Sequence, residues 1–441
     1  MYTTPPLKVK KMSQRVVSSS RKNHANMVTK RRYSFHYGVF KIPNWFYSFV
    51  PFKIATGGSS VLMPLYLLQL GGSAQLVGVM NSLASLASMI GTLFWGRLSD
   101  KTLKRRLFIT LGFSSVSIFL ALLAIVGSAG ELIILNTLYA FFLATTISVP
   151  VVLALRSVRK TYWDFGLGKF SEIGGWGWTF GLVLGLALSK YLSISALLLL
   201  FAIINFPSIL LGASLIREIP IYVNRESIAL FRNAVVQKAR YAPSFVLHIP
   251  STLKGFRRFS KCRAFYAHSF LFWIATGLYF SQVPVFLTFS GFSREKIYLI
   301  AIANSAISAF MYTRVGLMLK NDNLFKVLRR GLLLRFLGIA AIFIAVVGAR
   351  GVFILALASY LLAGLSWSFI SISGTSLVGR LAGEKEKGTA MGIYNLVNSL
   401  GLIVGSLSSG FIVEGFGFGV EYALALLFVL LSLLPIRTKA L

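Results

Sequence analysis

Ionisable side chains inside long apolar runs are expensive to keep, and where they persist they bind ions or solutes, or relay protons. Two cations of this chain fall inside such runs, Lys53 and Arg314. Lys53 begins the stretch Lys53-Ile54-Ala55-Thr56-Gly57-Gly58-Ser59-Ser60. At helical spacing its stripe continues through Gly57 and Ser60 to Pro64, small and polar as a cavity wall would be. With the hydrocarbon edge near Tyr47, Lys53 lies roughly 9 Å deep at 1.5 Å per residue. It either exchanges a proton or meets an anionic solute, or it is a structural lysine that reaches the interface or a carbonyl. Arg314 lies about 7.5 Å from the end of its run, close enough to snorkel; a role in solute binding is the alternative. The twelve acidic residues fall in loops or at the ends of runs, which argues against a carboxylate proton relay at a span centre. Cys262 is the only cysteine, and the four histidines (His24, His36, His248 and His268) are scattered. No metal site, nucleophilic constellation or cofactor motif follows from them, so neither an enzyme nor a cofactor is expected.

The elements that must position these residues are membrane spans. The chain has 441 residues, 56% hydrophobic and 13% charged, with a mean hydropathy of +0.74. A soluble domain carries about 25% charged residues, so the apolar surface here must border lipid. A helix needs ~20 apolar residues to cross the hydrocarbon core. Twelve runs meet that need: 44–70, 75–96, 107–127, 131–154, 173–192, 194–216, 265–289, 297–319, 330–349, 352–376, 389–413 and 419–436.

A formal charge of +33 on a compact soluble domain would suggest nucleic acid. Here the basic residues lie between the runs and report topology instead. Nearly all fall on one face: in the N-terminal tail, the even-to-odd links and the C-terminus, with Arg335 counted in the 8–9 segment. With Lys53 and Arg314 set aside, the other face carries only Lys190, Arg294, Lys296 and Arg350. Both termini and the long central linker are therefore expected in the cytoplasm. The tail 1–43 contains no acidic residue. It reads either as a disordered basic arm on anionic lipid or as an organelle transit segment.

The chain also repeats itself. Sliding it by about 220 residues sets Ile54-Ala55-Thr56-Gly57 on Ile274-Ala275-Thr276-Gly277, Pro64 on Pro284 and Gly71 on Gly291. The same slide sets the packing pair Gly181/Gly185 on Gly401/Gly405. The expected organisation is a tail at 1–43, a six-span half at 44–216, a cytoplasmic linker at 217–264, a second six-span half at 265–436 and a short tail at 437–441.

Between the second and third runs stands Gly96-Arg97-Leu98-Ser99-Asp100-Lys101-Thr102-Leu103-Lys104-Arg105-Arg106. It resembles the signature loop of the major facilitator superfamily, with Leu103 where that family has a second glycine. The resemblance implies an all-α membrane protein of twelve transmembrane helices in two pseudo-symmetric six-helix bundles. It also implies a gating role for Gly96, Arg97, Asp100, Lys101, Lys104 and Arg105, with Asp100 holding the halves together near the start of span 11 in an outward-open state. Gly177 to Leu186 resembles the family's antiporter motif without its proline; close helix packing through Gly181 and Gly185 is the plainer reading.

By the same resemblance a solute cavity would draw on spans 1, 4, 7 and 10. These offer Trp273, Tyr279, Gln282 and Trp367, with Tyr139 and Thr145, beside Lys53, Gly57 and Ser60. Aromatic groups with few hydrogen-bonding partners suit an amphipathic solute better than a sugar. The expected activity is secondary transport of a small organic molecule by alternating access, efflux of an amphipathic compound first, with protons as the candidate coupling ion. An organic-acid or inorganic-anion carrier using Lys53 is the alternative, and a channel or membrane-embedded enzyme the more distant one. The expected partners are the solute and the lipid bilayer, with no nucleic acid, and a monomer in the plasma membrane is the expected state.

Overall fold

The computed structural model describes residues 42–102, 104–157, 163–216, 263–319, 323–348, 350–381 and 387–435. The basic tail and most of the central linker lie outside these residues. After a short 3-10 turn at Asn44–Ser48, thirteen α-helices follow among the described residues. In the first half these are α1 Phe49–Ser60, α2 Leu62–Gln69, α3 Ala74–Thr102, α4 Arg105–Leu123, α5 Ala129–Leu143, α6 Thr145–Ser157, α7 Trp163–Ser189 and α8 Ile194–Leu215. In the second they are α9 Arg263–Phe289, α10 Arg294–Met318, α11 Leu324–Gly348, α12 Val352–Leu381 and α13 Lys387–Leu433.

Eight segments are long and apolar enough to cross a membrane by themselves. The longest, in α13, is two spans, because Gly417 (φ 82°, ψ 168°) turns the chain back where an L side chain would be strained. Span 4 is α5 followed by α6, and span 1 is α1 followed by α2. The break in span 1 at Val61 has a local cause: Pro64 has no N–H to give the carbonyl of Ser60. Spans 5 and 8, within α7 and α10, pack along each other. Elsewhere large apolar side chains face outward, with Ile125, Ile203 and Ile354 each about 70% exposed or more; in a membrane this is the lipid belt.

The two halves carry the same turns. The helix ends before α3 and before α10 both close with a left-handed glycine, Gly71 (φ 81°) and Gly291 (φ 77°). The following N–H groups return to the same places, Gly72 to Leu67 at 2.9 Å and Phe292 to Leu287 at 3.0 Å, as in a Schellman ending.

The packing glycines align differently from a simple slide. Gly177 lies on the backbone of Val50 and the side chain of Lys53, and Gly181 on the carbonyl of Ile54. Gly401 lies on Phe270 and Trp273, and Gly405 on the carbonyl of Ile274. The structural counterparts of Gly401 and Gly405 are therefore Gly177 and Gly181, one helical turn before the pair matched by the sequence. Lys53 thereby corresponds to Trp273. Gly185 packs on the ring of Tyr298 in α10 instead.

The signature segment also differs in form from a loop. Gly96, Arg97, Asp100 and Lys101 sit in the last turns of α3, Lys104 precedes α4, and Arg105 opens α4 and is buried. The helix runs past residue 96 because Arg97 and Lys101 can extend its polar end toward water.

Candidate functional site

Between the halves lies a cavity of about 430 Å³, walled by helices of both. Its polar lining is uncharged: Ser60 from α1, Asn81 from α3, Asn136 and Tyr139 from α5, Ser281 from α9, and Asn304 and Ser305 from α10. Trp178, Phe280, Tyr360, Leu143, Leu182 and Ile300 supply aromatic and apolar wall. Asn304 is engaged, its amide donating to the carbonyl of Tyr360 at 3.0 Å. Ser305 shares a 2.8 Å hydrogen bond with Thr179 across the two halves. Asn81 and Asn136 sit on the wall without a side-chain hydrogen bond to the described residues, which leaves two amides, each both donor and acceptor, for a solute.

The basic face is here the one bearing the 2–3 and 4–5 links, and the far face its opposite. Lys53 is half-buried about 10 Å nearer the basic face than Ser60, seven residues along span 1. Its ammonium stands 5.4 Å from the ring of Phe52 and 5.7 Å from that of Trp178, a cation–π setting. Lys53 therefore neighbours a cavity-wall residue without lining the cavity itself. Gly57 packs on the backbone of Trp178 and lets α1 and α7 touch.

The remaining candidates divide. Trp273 and Trp367 meet edge to face at 5.6 Å, outside the cavity lining. Gln282 is fully buried, its amide donating to the carbonyl of Ala74 at 3.0 Å and to Ser409 at 3.2 Å, so it ties the halves instead of facing a solute. Arg314 is exposed on the flank, over the ring of Phe310 at 3.4 Å and donating to that residue's carbonyl at 2.6 Å. Tyr139 lines the cavity; Tyr279 and Thr145 are buried off it, Tyr279 sharing a 2.7 Å hydrogen bond with Ser359 and Thr145 donating to Phe142. His268 is buried, its Nδ1 2.7 Å from the carbonyl oxygen of Ser432.

Among the described residues, ties between the halves are more numerous toward the far face. Tyr298 donates to the carbonyl of Gly58 at 2.8 Å, Gln282 to Ala74, and the backbone N–H of Gln75 to Glu414 at 3.0 Å. Toward the basic face, Thr313 of α10 donates to Glu172 of α7 at 2.6 Å, and Lys169 pairs with the same oxygen at 2.7 Å. Burial pushes the Glu172 carboxyl up, but the hydrogen bonds from Lys169 and Thr313 and the charges of Lys169 and Arg314 outweigh it, and the net shift is downward.

The family model of the Major Facilitator Superfamily matches residues 46–406. The chain belongs to the major facilitator superfamily. It is 24% identical over 358 residues to an uncharacterised transporter of this type from Methanocaldococcus jannaschii, covering 80% of this chain and 83% of that one. Among solved structures, the nucleoside transporter NupG is similar at a TM-score of 0.66 and 16% identity, covering 90% of this chain and 99% of the other. A POT family transporter in complex with a thioalcohol-conjugated peptide is similar at 0.69 and 13%, covering 89% and 94%. A D-xylose–proton symporter is similar at 0.64 and 12%, covering 91% and 97%. Membership makes this chain an integral membrane protein and a secondary transporter, in a family of carriers rather than enzymes.

Sequence reasoning missed the three cavity asparagines and two buried charges. The asparagines were legible as polar residues inside runs. Arg335, counted with a basic link, lies within α11, only 1% exposed. Glu421, counted as a span end, is completely buried.

Proposed function

We propose that this transporter exports a small uncharged amphipathic compound by alternating access, as a monomer in the plasma membrane, with both termini in the cytoplasm and protons as the coupling ion. The observation that carries the cargo class is the cavity itself, a largely apolar wall of about 430 Å³ with two amides free to bond and no charged side chain. An ionic solute brought there would meet no countercharge on the wall, and an unpaired charge away from water is costly. The orientation rests on the Lys/Arg asymmetry of the links. The direction is read from the ties between halves, which among the described residues are more numerous on the far face than on the basic face. The cavity is built within one chain, so a monomer suffices.

A second reading has one observation in its favour. Lys53 pairs with no carboxylate among the described residues and stands beside a cavity-wall tryptophan, so an organic acid reaching past Trp178 would find a cation.

Thermal unfolding of the purified protein in detergent separates the two. Panels of uncharged amphipathic compounds and of small organic anions are run on wild type, Lys53→Met and Asn136→Leu. A ligand at about 100 times its Kd stabilises the folded state by about 2.7 kcal/mol. Uncharged compounds are expected to stabilise wild type and Lys53→Met alike and to lose their effect in Asn136→Leu. Stabilisation by anions that vanishes in Lys53→Met would overturn this reading in favour of the anion carrier. For a compound that binds, flux in both directions across reconstituted vesicles then reads the direction.

A further inference from the structure

The second half holds ionisable groups that the cavity does not use. Glu421 lies in the first turn after Gly417, at the far-face end of span 12, with none of its surface exposed and, among the described residues, no hydrogen bond to either carboxyl oxygen. An acid in the first turn of a helix ordinarily stands in water and accepts from free N–H groups. Glu421 does neither. Left ionised, it would be an unpaired charge in the protein interior, compensated only by a bound cation or a proton.

Its surroundings lead back to the cavity. Tyr422, next in sequence, is buried with its hydroxyl unpartnered and lies within electrostatic reach of Glu421, Tyr279 and Tyr360. The ring of Tyr279 on α9 is 6.4 Å from Tyr422 and 6.0 Å from Tyr360 on α12, and Tyr360 lines the cavity. Beyond these tyrosines stands Arg335 on α11, donating to Ser366 at 2.8 Å and to the carbonyl of Ala363 at 3.2 Å, with Nη1 unpartnered. Arg335 is within electrostatic reach of Tyr279 and Tyr360. The buried groups thus run from an acid at the far-face end, through three tyrosines, to a guanidinium deep in the bundle.

We infer that Glu421 is the coupling site of this transporter, taking one proton from the far-face solution and, in the state open to the basic face, releasing it past the tyrosines and through the cavity to the basic-face solution. Uptake turns the buried carboxylate into a neutral acid that the closed packing tolerates. Release restores an anion that must be hydrated, so the surrounding helices have to part. The consequence reaches the gate through α9, which carries Tyr279, the cavity residue Ser281 and the cross-half tie Gln282 within one turn. A bound sodium ion is the other way to compensate the charge, since hard cations take oxygen ligands, and the test below separates the two.

The inference rests on the secondary-transport reading, but its test needs no solute, so a wrong cargo would leave it standing. Infrared difference spectra of the reconstituted full chain are taken across a pH titration, for wild type, Glu421→Gln and the exposed-carboxyl control Glu131→Gln. Wild type and the control are expected to show a protonated-carboxyl band that shifts in heavy water and bleaches as pH rises, and Glu421→Gln to lose it. The amide bands of the same spectra report whether the variant is folded. On supported membranes a pH jump is expected to displace charge in wild type and not in Glu421→Gln. A carboxyl band and charge displacement unchanged in folded Glu421→Gln would overturn the assignment. So would a band that responds to sodium at fixed pH, which would make the site one for sodium.

Discussion

At the scale of single residues, Glu172 shows how one carboxylate serves two helices. It accepts from Thr313 across the halves while pairing with Lys169 on its own helix. Its net downward shift fixes the sign of its pH dependence. A carboxyl whose folded value lies below its unfolded one stabilises the fold above the ordinary range near ~4.3, and that contribution is lost as pH falls through the lower folded value. Glu172→Gln is therefore expected to lower stability by about 1 kcal/mol at neutral pH, the upper end for a partly exposed pair. The gap from wild type should close on acidification through that window. Unfolding curves at a series of pH values check this, and a gap that widened in acid would contradict it.

At the scale of elements, small residues decide which helices can touch. Gly181 lies directly on the carbonyl of Ile54, where an added methyl has no room. Gly181→Ala is expected to cost about 1–3 kcal/mol of stability, because the obstacle is backbone and cannot rotate away. Gly316, inside α10 with open space around it, is the counterpart: Gly316→Ala should stabilise by about 0.4–1 kcal/mol through the unfolded chain. Thermal unfolding of both variants in one detergent gives the comparison. If Gly181→Ala melted like wild type, α1 and α7 would be free to separate at that point. The glycine pair itself was legible in the sequence, but its partner was not. Two glycine pairs one turn apart present the same pattern to any alignment, and only the contact with Ile54 or Ile274 tells them apart.

At the scale of the whole molecule, the far face is held by ties that do not resemble one another. Glu414, at the far-face end of span 11, accepts from the N–H of Gln75 in the first turn of α3. It therefore sets a carboxylate against the positive end of a helix in the other half, an interaction worth about 0.3–1 kcal/mol. Glu414→Ala should shift the population toward an open far face by about two- to fivefold on that energy. The check is the alkylation rate of a cysteine placed at the cavity residue Ser281, in a chain lacking Cys262, using a reagent confined to the far side. An unchanged rate would mean that the other far-face ties, among them Tyr298 and Gln282, hold the face closed without Glu414.

The sequence by itself determined the class of molecule. Apolar run length, the one-sided spread of cations and the repeat of about 220 residues follow from the chemistry of a bilayer, which acts on each span separately and needs no knowledge of its neighbours. It also marked Ser60 and Tyr139, because a polar residue within an apolar helix stands out locally. Tertiary structure alone decided what those residues meet. Gln282 and Ser281 are adjacent in the chain, yet one ties the halves and the other lines the cavity, since successive helical positions point about 100° apart. Arg335 and Glu421 looked peripheral because their position along a span was read from the nearest loop. Whether a side chain at that position faces water, lipid or a buried tyrosine depends on which helices pack around it, and that is a property of the assembled bundle.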